Sequence, residues 1–371
     1  MHIVLTGNTT FMIGNFRKGL IKHFIKSGHR VTVMAPVDDY VPLVRELGCN
    51  FVSITMDRNG TSVLKDLILL RAMSDELKKL RPDIVLSFTI KNNIYGGLAC
   101  RFLKIPFVPN VTGLGPAFNS TGPLNIMVRF LLRHALKKAH KIFFQNADDK
   151  ALFVNAKLVP PDRVELLPGS GVNLKDFDQS DLPKDTGSVR FLLVTRMLWD
   201  KGVGIFEQAA AEVRTEFPNA VFQLLGPIDG ASKTGISKAQ ISEWEAQGHV
   251  KYIGVTSDVS PFLAQSHCVV LPSFYREGTP KSLLEAGATG RPIITTDMPG
   301  CRDLVFDGKN GFIVEPRSVQ SLISAFRSFL HLSENERQAF GSESRKLIEE
   351  KYDEKYVITA YQNVLSELMN Q

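Results

Sequence analysis

Short apolar runs alternate with amphipathic, helix-length segments along the first half of the chain. It opens with an apolar run at 2–5, a Gly/Asn/Thr turn at 6–10, a helical pattern over 16–27 and a second apolar run at 31–35. This is the strand, loop, helix, strand order of a doubly wound parallel sheet. Further apolar runs, which bring the predicted sheet to about six parallel strands, lie at 51–54, 84–88, 107–111 and 142–145.

The same alternation restarts after 169–187, a loop rich in Gly, Asp, Ser and Pro. Six more apolar runs follow, at 190–194, 221–225, 250–253, 268–271, 292–295 and 311–314. The pattern predicts an α/β fold of two Rossmann-like, doubly wound domains, with ligands bound where the carboxyl ends of both sets of strands face a cleft. We expect an N-terminal domain over 1–170, a C-terminal domain over 188–352, and a last helix over 353–371 that packs back toward the N-terminal domain.

Composition agrees with two globular domains and argues against several other classes. The 371 residues are 44% apolar and 22% charged, and the four cysteines are widely spaced, which disfavours both a zinc site and a disulfide framework. The first twenty residues lack the apolar core of a signal peptide, and no uncharged apolar run reaches membrane-spanning length. We therefore expect a cytoplasmic protein that does not span a membrane.

Charge is unevenly divided between the two halves. Residues 1–170 carry 23 Lys and Arg against 12 Asp and Glu, and the remainder carries 21 against 26. Residues 84–147 contain no acidic side chain. An excess of this kind predicts an anionic partner for the N-terminal half.

One segment, 124–141, is the candidate contact with such a partner. It is predicted to be a helix in which Arg129, Arg133, Lys137 and Lys141 recur every four residues, and its apolar side chains exceed what a core-facing arc requires. These features favour binding to an anionic membrane surface, which would place the protein peripherally on the inner face of the cell membrane. An ordinary amphipathic helix with a solvated basic face is the alternative.

Residues 274–300 contain the densest group of candidate site residues. Thr279 is a suitable N-cap and Pro280 a favoured first residue for a helix that runs to residue 288. The first turn would present the backbone N–H groups of Lys281, Ser282 and Leu283, a good site for a diphosphate.

Two carboxylates flank this predicted helix start. Glu277 precedes it and Glu285 lies about two turns along it, where each can accept hydrogen bonds from ligand hydroxyl groups. An acidic residue near a helix N-terminus is also favoured by the helix dipole alone, so the spacing by itself is weak evidence.

The surrounding sequence makes the pattern specific. The run EGTPKSLLEAGATGRPIITTDMPGCRDLV resembles the E-x7-E donor signature of the retaining, family-4 glycosyltransferases. VTRMLWDKG, LPGSGVNLKDF and NGFIVEP resemble other segments of that family, in the expected order. In the first half, FTIKNNIYGGLA and NVTGLGPAF resemble the bacterial members that build lipid-linked oligosaccharides. The resemblance implies the GT-B architecture, in which two Rossmann-like domains face each other.

The resemblance also implies roles for residues in the second half. Glu277 would contact the donor sugar, helped by the backbone of Gly278 and Thr279, and Glu285 would bind the ribose. The remaining roles are a grip on the diphosphate and a backbone contact to the nucleobase, which fall to Arg196 with Lys201 and to the segment around Val255.

Candidate residues in the first half are less sharply defined. The opening loop with Gly7 and Asn8 corresponds to a donor-binding loop, although it lacks the paired glycines of many members. Lys91, expected in the loop after the strand at 84–88, is the candidate cation for an acceptor diphosphate, and Thr112 and Gly113 are further acceptor-binding candidates.

These residues together predict retaining, metal-independent and cofactor-free transfer of a hexosamine (GalNAc or GlcNAc) or a hexose. The donor would be a UDP-sugar and the acceptor a hydroxyl group of an undecaprenyl-diphosphate-linked sugar. Two alternatives are a sugar-nucleotide epimerase on the same fold and a nucleic-acid-binding protein, the latter suggested by a pI near 9.0. The acidic second half disfavours nucleic acid as a partner.

Overall fold

The computed structural model describes residues 1–57, 60, 62–114, 118, 122–184, 187–230 and 232–370. The chain forms two compact units. The first contains Met1–Ser170 together with Glu354–Gln371, and the second contains Gly171–Asp353.

The first unit is built on a seven-stranded parallel sheet in the order β3-β2-β1-β4-β5-β6-β7. Its strands are β1 His2–Thr6, β2 Arg30–Ala35, β3 Asn50–Ser53, β4 Ile84–Phe88, β5 Phe107–Val111, β6 Ile142–Phe144 and β7 Val164–Leu166. The six predicted strands are confirmed. The pattern missed β7, because this edge strand has only three residues and two of them are exposed. The order reverses between β1 and β4, which defines the switch point where Rossmann-like sheets bind ligands.

Helices cover both faces of this sheet. They are α1 Thr10–Phe16, α2 Lys18–Lys26, α3 Val41–Glu46, α4 Val63–Leu80, α5 Ile90–Leu103, α6 Pro123–Leu136, α7 Ala147–Asn155 and α14 Glu354–Met369. Apolar residues of α4, α5 and α6 form a core on one face. On the other face, Val357, Tyr361 and Val364 of α14 share a core with Phe24 of α2.

The basic stripe predicted for 124–141 is wrong in one respect: α6 ends at Leu136. Lys137 is therefore the C-cap residue, and Lys141 lies beyond the helix beside Glu165, with 3.5 Å between the ammonium and carboxylate groups. Only Arg129 and Arg133 of the four share a helical face. The period-four pattern failed because it continued through a turn that the spacing of lysines does not reveal.

The second unit has a six-stranded parallel sheet in the order β10-β9-β8-β11-β12-β13, and all six predicted strands are confirmed. The strands are β8 Arg190–Val194, β9 Val221–Leu225, β10 Lys251–Tyr252, β11 Cys268–Leu271, β12 Ile293–Thr296 and β13 Gly311–Val314. The helices are α8 Val203–Glu216, α9 Lys238–Ala246, α10 Ser260–Ala264, α11 Lys281–Ala288, α12 Val319–His331 and α13 Glu334–Lys351. Its switch point lies between β8 and β11.

Candidate active site

Two loops that leave the carboxyl ends of β8 and β11 are joined at the switch point of the second unit. The backbone N–H groups of Phe274 and Tyr275 both donate to the carbonyl oxygen of Asp200, at 3.1 Å. Gly202 has φ +76°, and a Cβ atom there would lie 2.0 Å from the carbonyl oxygen of Pro272. Glycine therefore permits a close approach that any other residue would block.

This approach brings Lys201 and Glu277 together. Their ammonium and carboxylate groups form a short ion pair, and the side chains are only 14% and 13% exposed. The Ser273 hydroxyl donates to the same Glu277 oxygen at 3.1 Å. Because the pair is shielded from water, its charges interact more strongly with each other and with any ligand than surface charges do.

An aromatic ring lies against this pair. The Lys201 nitrogen is 5.1 Å from the centroid of the Tyr275 ring, within cation–π range. Burial, with a further contribution from the Glu277 carboxylate, raises the pKa of Tyr275 to about 12. Tyr275 is therefore neutral near pH 7 and contributes a polarisable ring and a hydroxyl group rather than a charge.

The predicted start of the following helix is wrong by one residue. Pro280 has an extended ψ of 119° and serves as the N-cap, so α11 begins at Lys281 rather than Pro280, and Thr279 lies one position before the cap. The N–H of Leu283 donates to the Pro280 carbonyl at 3.2 Å. Of the three amides predicted to receive a diphosphate, that of Leu283 is thus already engaged, whereas Lys281 and Ser282 occupy the first turn.

Glu285 lies farther along α11, and its side chain is 13% exposed. The Lys281 ammonium is 3.8 Å from one of its carboxylate oxygens. Burial raises the pKa of Glu285 to about 7, against the opposing effect of Lys281. The charge of this carboxyl group therefore changes close to neutral pH.

The loop after β12 reaches the donor-signature loop through Gly300. This residue has φ +79°, and a Cβ atom there would lie 1.8 Å from the carbonyl oxygen of Gly278. The structure thus adds Gly300 to the candidate site. The Pro-Gly dipeptide at 299–300 marks a turn in the sequence, but the turn's contact with Gly278 depends on the tertiary structure.

We predict that Gly300→Ala destabilises the protein by at least about 3 kcal/mol, because it adds a backbone clash to the cost of left-handed φ. Gly308→Ala is a matched control, since Gly308 also has positive φ, +71°, but a Cβ atom there would meet nothing within 4 Å. The control should cost about 1 kcal/mol. Thermal unfolding of the two variants measures the difference, and equal losses would contradict a specific role for the Gly278 contact.

The other second-unit candidates lie at loop surfaces. The Arg196 side chain is 58% exposed and pairs with Asp229 at 3.5 Å. Val255 is 63% exposed. It follows Gly254, whose carbonyl accepts a hydrogen bond of 2.9 Å from the N–H of Gly226. Sequence reasoning missed both Asp229 and Ser273, because an isolated Asp or Ser in a loop carries no pattern.

In the first unit, candidate residues occupy the carboxyl ends of β1 and β5. Gly7 is buried directly after β1, and Asn8 is half-buried. Thr112 and Gly113 directly follow β5 and are half-buried. Residues 115–117 of the same motif lie outside the described part of the chain.

The expected position of Lys91 is wrong. It lies in the first turn of α5 and not in a loop. Its ammonium group is 2.8 Å from a carboxylate oxygen of Asp66, and it donates to the carbonyl oxygens of Asp57 and Gly60, both at 2.8 Å. Because an ammonium group has three donors and all three are engaged, Lys91 is not available to an acceptor diphosphate in this arrangement.

No group of three metal-binding side chains occurs among the described residues. In that part of the chain the charges that face the switch point of the second unit come from side chains, above all from Lys201 and Glu277.

Two family matches divide along the same line as the two units. Residues 3–146 match the family Glycosyl transferase 4-like, and residues 175–347 match Glycosyl transferases group 1. The fold and the site define the class: the protein is a glycosyltransferase of the GT-B architecture. It belongs to the group 1 and 4-like glycosyltransferases, and the matches do not support an epimerase or a nucleic-acid-binding protein.

Relatives with named activities are similar over most of their length. The N,N'-diacetylbacillosaminyl-diphospho-undecaprenol alpha-1,3-N-acetylgalactosaminyltransferase of Campylobacter jejuni is 29% identical over 341 residues, 87% of each chain. The UDP-Gal:alpha-D-GlcNAc-diphosphoundecaprenol alpha-1,3-galactosyltransferase of Escherichia coli is 28% identical over 73% of this chain and 72% of its own. Among solved structures, Anabaena Alr3699/HepE in complex with UDP superposes with a TM-score of 0.79 at 17% identity, over 99% of this chain and 100% of that chain.

Proposed function

We propose that this glycosyltransferase transfers a hexosamine or hexose, with retention, from a UDP-sugar to a hydroxyl group of an undecaprenyl-diphosphate-linked sugar. The observation that carries the proposal is the shielded Lys201–Glu277 pair at the switch point of the second unit. It provides a cation for a diphosphate and a carboxylate for sugar hydroxyl groups within one contact. The printed activities of the Campylobacter and Escherichia relatives support the acceptor class.

Donor binding would reorganise this pair. A diphosphate offers Lys201 an alternative anion, which frees Glu277 to accept hydrogen bonds from the sugar. Arg196, at the exposed end of the same loop, adds a second cation, and the amides of Lys281 and Ser282 add the positive end of the α11 dipole. Glu285 would accept hydrogen bonds from the ribose hydroxyl groups.

The chemistry then follows from charge. The bond between the sugar C1 and the β-phosphate oxygen breaks, a bond from the acceptor oxygen to C1 forms, and the acceptor proton passes to the departing phosphate. Positive charge develops at the sugar and negative charge at the phosphate. Lys201, Arg196 and the helix start stabilise the leaving group with charges that are already in place, so we propose that no metal ion is required.

The test is transfer by the full chain with a panel of UDP-sugars and an undecaprenyl-diphosphate-linked sugar as acceptor. NMR of the product reports the anomeric configuration. We expect one UDP-sugar to be used, with its configuration retained. If none of the panel is transferred, or if the product is inverted, the proposal fails.

Binding of UDP-glucose, whose phosphates do not titrate near neutral pH, should depend on Glu285. Below its pKa of about 7 the carboxyl group is protonated and accepts weaker hydrogen bonds, so the affinity should rise about tenfold as pH increases through 7. Glu285→Gln should remove this dependence. Isothermal titration calorimetry from pH 5.5 to 8.5 measures it, and a dependence that persists in the variant would contradict the assignment.

The same shift makes a stability prediction with the opposite sign. The folded-state pKa lies above the ordinary value of 4.5, so the folded protein binds more protons than the unfolded chain between these two values. The contribution of Glu285 to stability is therefore present below about pH 4.5 and is lost as pH rises toward 7.

We further propose that the protein works at the cytoplasmic face of the cell membrane, where a lipid-linked acceptor is held. Among the described residues no helix is long and apolar enough to cross a bilayer. The first half of α4 nevertheless exposes four apolar side chains by 57 to 70%: Val63, Leu64, Leu67 and Ile68. On α6 only Ile126 and Phe130 are comparably exposed, so α4 is the stronger candidate for lipid contact.

We predict that Leu64→Glu with Ile68→Glu lowers the fraction of protein that sediments with vesicles of anionic lipid by at least about tenfold, because both large apolar contacts are lost and like charge is added. Ile126→Glu with Phe130→Glu makes the same change on α6 and should have the smaller effect. A larger effect on α6 would instead support the helix that the sequence predicts.

A further inference from the structure

Three buried arginines differ in how their guanidinium groups are satisfied. Arg291 is fully buried and donates to several backbone carbonyl groups. Arg337, 5% exposed, donates to two carbonyl groups near the end of α12 at 3.2 and 2.8 Å. Arg17 is 2% exposed, yet its guanidinium makes one hydrogen bond of 3.3 Å, and its Nε atom has no partner among the described residues.

Arg17 also lacks a counter-ion within the described part of the chain. Its guanidinium carbon lies 4.5 Å from the centroid of the Phe88 ring, and the Tyr361 hydroxyl is a second, uncharged neighbour. Burial lowers the pKa of Arg17. A cation–π contact contributes about 2 kcal/mol at most, whereas removing an ion from water costs several kcal/mol per charge. The described residues thus hold a cation whose burial they do not offset.

The location of Arg17 indicates what would offset this cost. Phe88 is the last residue of β4, which borders β1 at the switch point of the first sheet. The next residue, Thr89, is β-branched and has φ +75°, a strained conformation that is concentrated at functional sites. Ser87 Oγ and Asn93 Oδ1, on either side of it in the chain, are also buried with no hydrogen-bond partner in the described structure. Unsatisfied polar groups and backbone strain therefore coincide where a Rossmann-like sheet binds its ligand.

We propose that Arg17 binds the diphosphate of the lipid-linked acceptor at the carboxyl end of β4. The inference rests on the proposed function, which already assigns the diphosphate of the donor to cations of the second unit. A guanidinium has five N–H donors in a planar fork that matches phosphate oxygens, and the described residues engage one of them. Arg17 takes the role of the acceptor cation that the sequence assigns to Lys91, whose donors are all engaged.

The test uses the full chain with Arg17→Met, which keeps the apolar stem and removes the charge. The acceptor KM should rise about 10- to 100-fold while the KM for the UDP-sugar changes less than about twofold. The melting temperature without ligand should rise by about 2 °C or more, since an uncompensated buried charge is gone. In the presence of saturating UDP, inorganic pyrophosphate should raise the melting temperature of the wild type but not of the variant.

Arg337→Met is the matched control, because it removes an equally buried guanidinium that carbonyl groups satisfy. It should lower the melting temperature and leave the acceptor KM and the pyrophosphate response unchanged. Arg17→Lys keeps the charge without the fork and should recover part of the acceptor affinity, which keeps the test informative if Arg17→Met folds poorly.

Other results overturn the inference. If Arg17→Met lowers the melting temperature and keeps the acceptor KM, Arg17 is structural. If the KM of the UDP-sugar rises instead, the site holds the donor. If the wild type transfers no sugar but still responds to pyrophosphate through Arg17, the proposed function fails while the anion site stands, so the two failures can be told apart.

Discussion

Replacing Glu277 with glutamine should lower kcat for sugar transfer by about 100- to 1000-fold. The substitution preserves the shape of the side chain but removes the negative charge that faces the sugar as positive charge develops on it. Binding of UDP alone should not weaken, because Lys201 loses its internal partner and becomes fully available to the diphosphate. Steady-state kinetics and calorimetry with UDP measure the two quantities separately.

The control for this substitution is Glu343→Gln, on an exposed position of α13. It makes the same chemical change away from the site and should leave both quantities unchanged. Wild-type kcat in Glu277→Gln would show that the carboxylate has no part in transfer. Weaker UDP binding would show that Glu277 positions the diphosphate and not the sugar.

Replacing Lys201 with methionine should affect both quantities. The UDP dissociation constant should rise about 10- to 100-fold, because a shielded charge-assisted contact to phosphate is lost. kcat/KM should fall about 1000-fold, since the same ammonium group stabilises the charge that grows on the departing phosphate. Glu277 would also lose its ion-pair partner, so thermal unfolding should be recorded alongside the kinetics.

Lys309→Met, at an exposed position in the loop before β13, is the corresponding control and should have no effect on UDP binding. An unchanged UDP dissociation constant in Lys201→Met would place the diphosphate elsewhere. Contrasting results for the Glu277 and Lys201 variants would then assign the sugar and the diphosphate to different members of one ion pair.

Much of the fold could be predicted because its signals are local. A parallel strand buried on both faces needs a run of apolar residues, so β4 and β11 are visible in the chain itself. The edge strand β7 lacked this signal because only one face of an edge contributes to the core. The end of α6 was missed because periodic basic residues carry no information about where backbone hydrogen bonds stop.

The candidate site divides in the same way. The order of motifs along the chain is enough to select Glu277, Glu285, Arg196 and Lys201 as candidates. Their partners come from distant segments: Lys201 meets Glu277 across 76 positions, and Gly300 closes on Gly278. Neither contact leaves a trace in the spacing of residues.

The sequence by itself determined the two-sheet α/β architecture, the class of enzyme and the segment that carries the donor signature, because hydrophobic period and motif order are properties of neighbouring residues. The tertiary structure alone decided which charges are satisfied. Lys91 is engaged because Asp66 and two carbonyl groups converge on it, and Arg17 is left with a single hydrogen bond because the described helices around it bring no carboxylate. Electrostatic balance in a buried site depends on distances between residues that are remote in the chain, and only folding sets those distances.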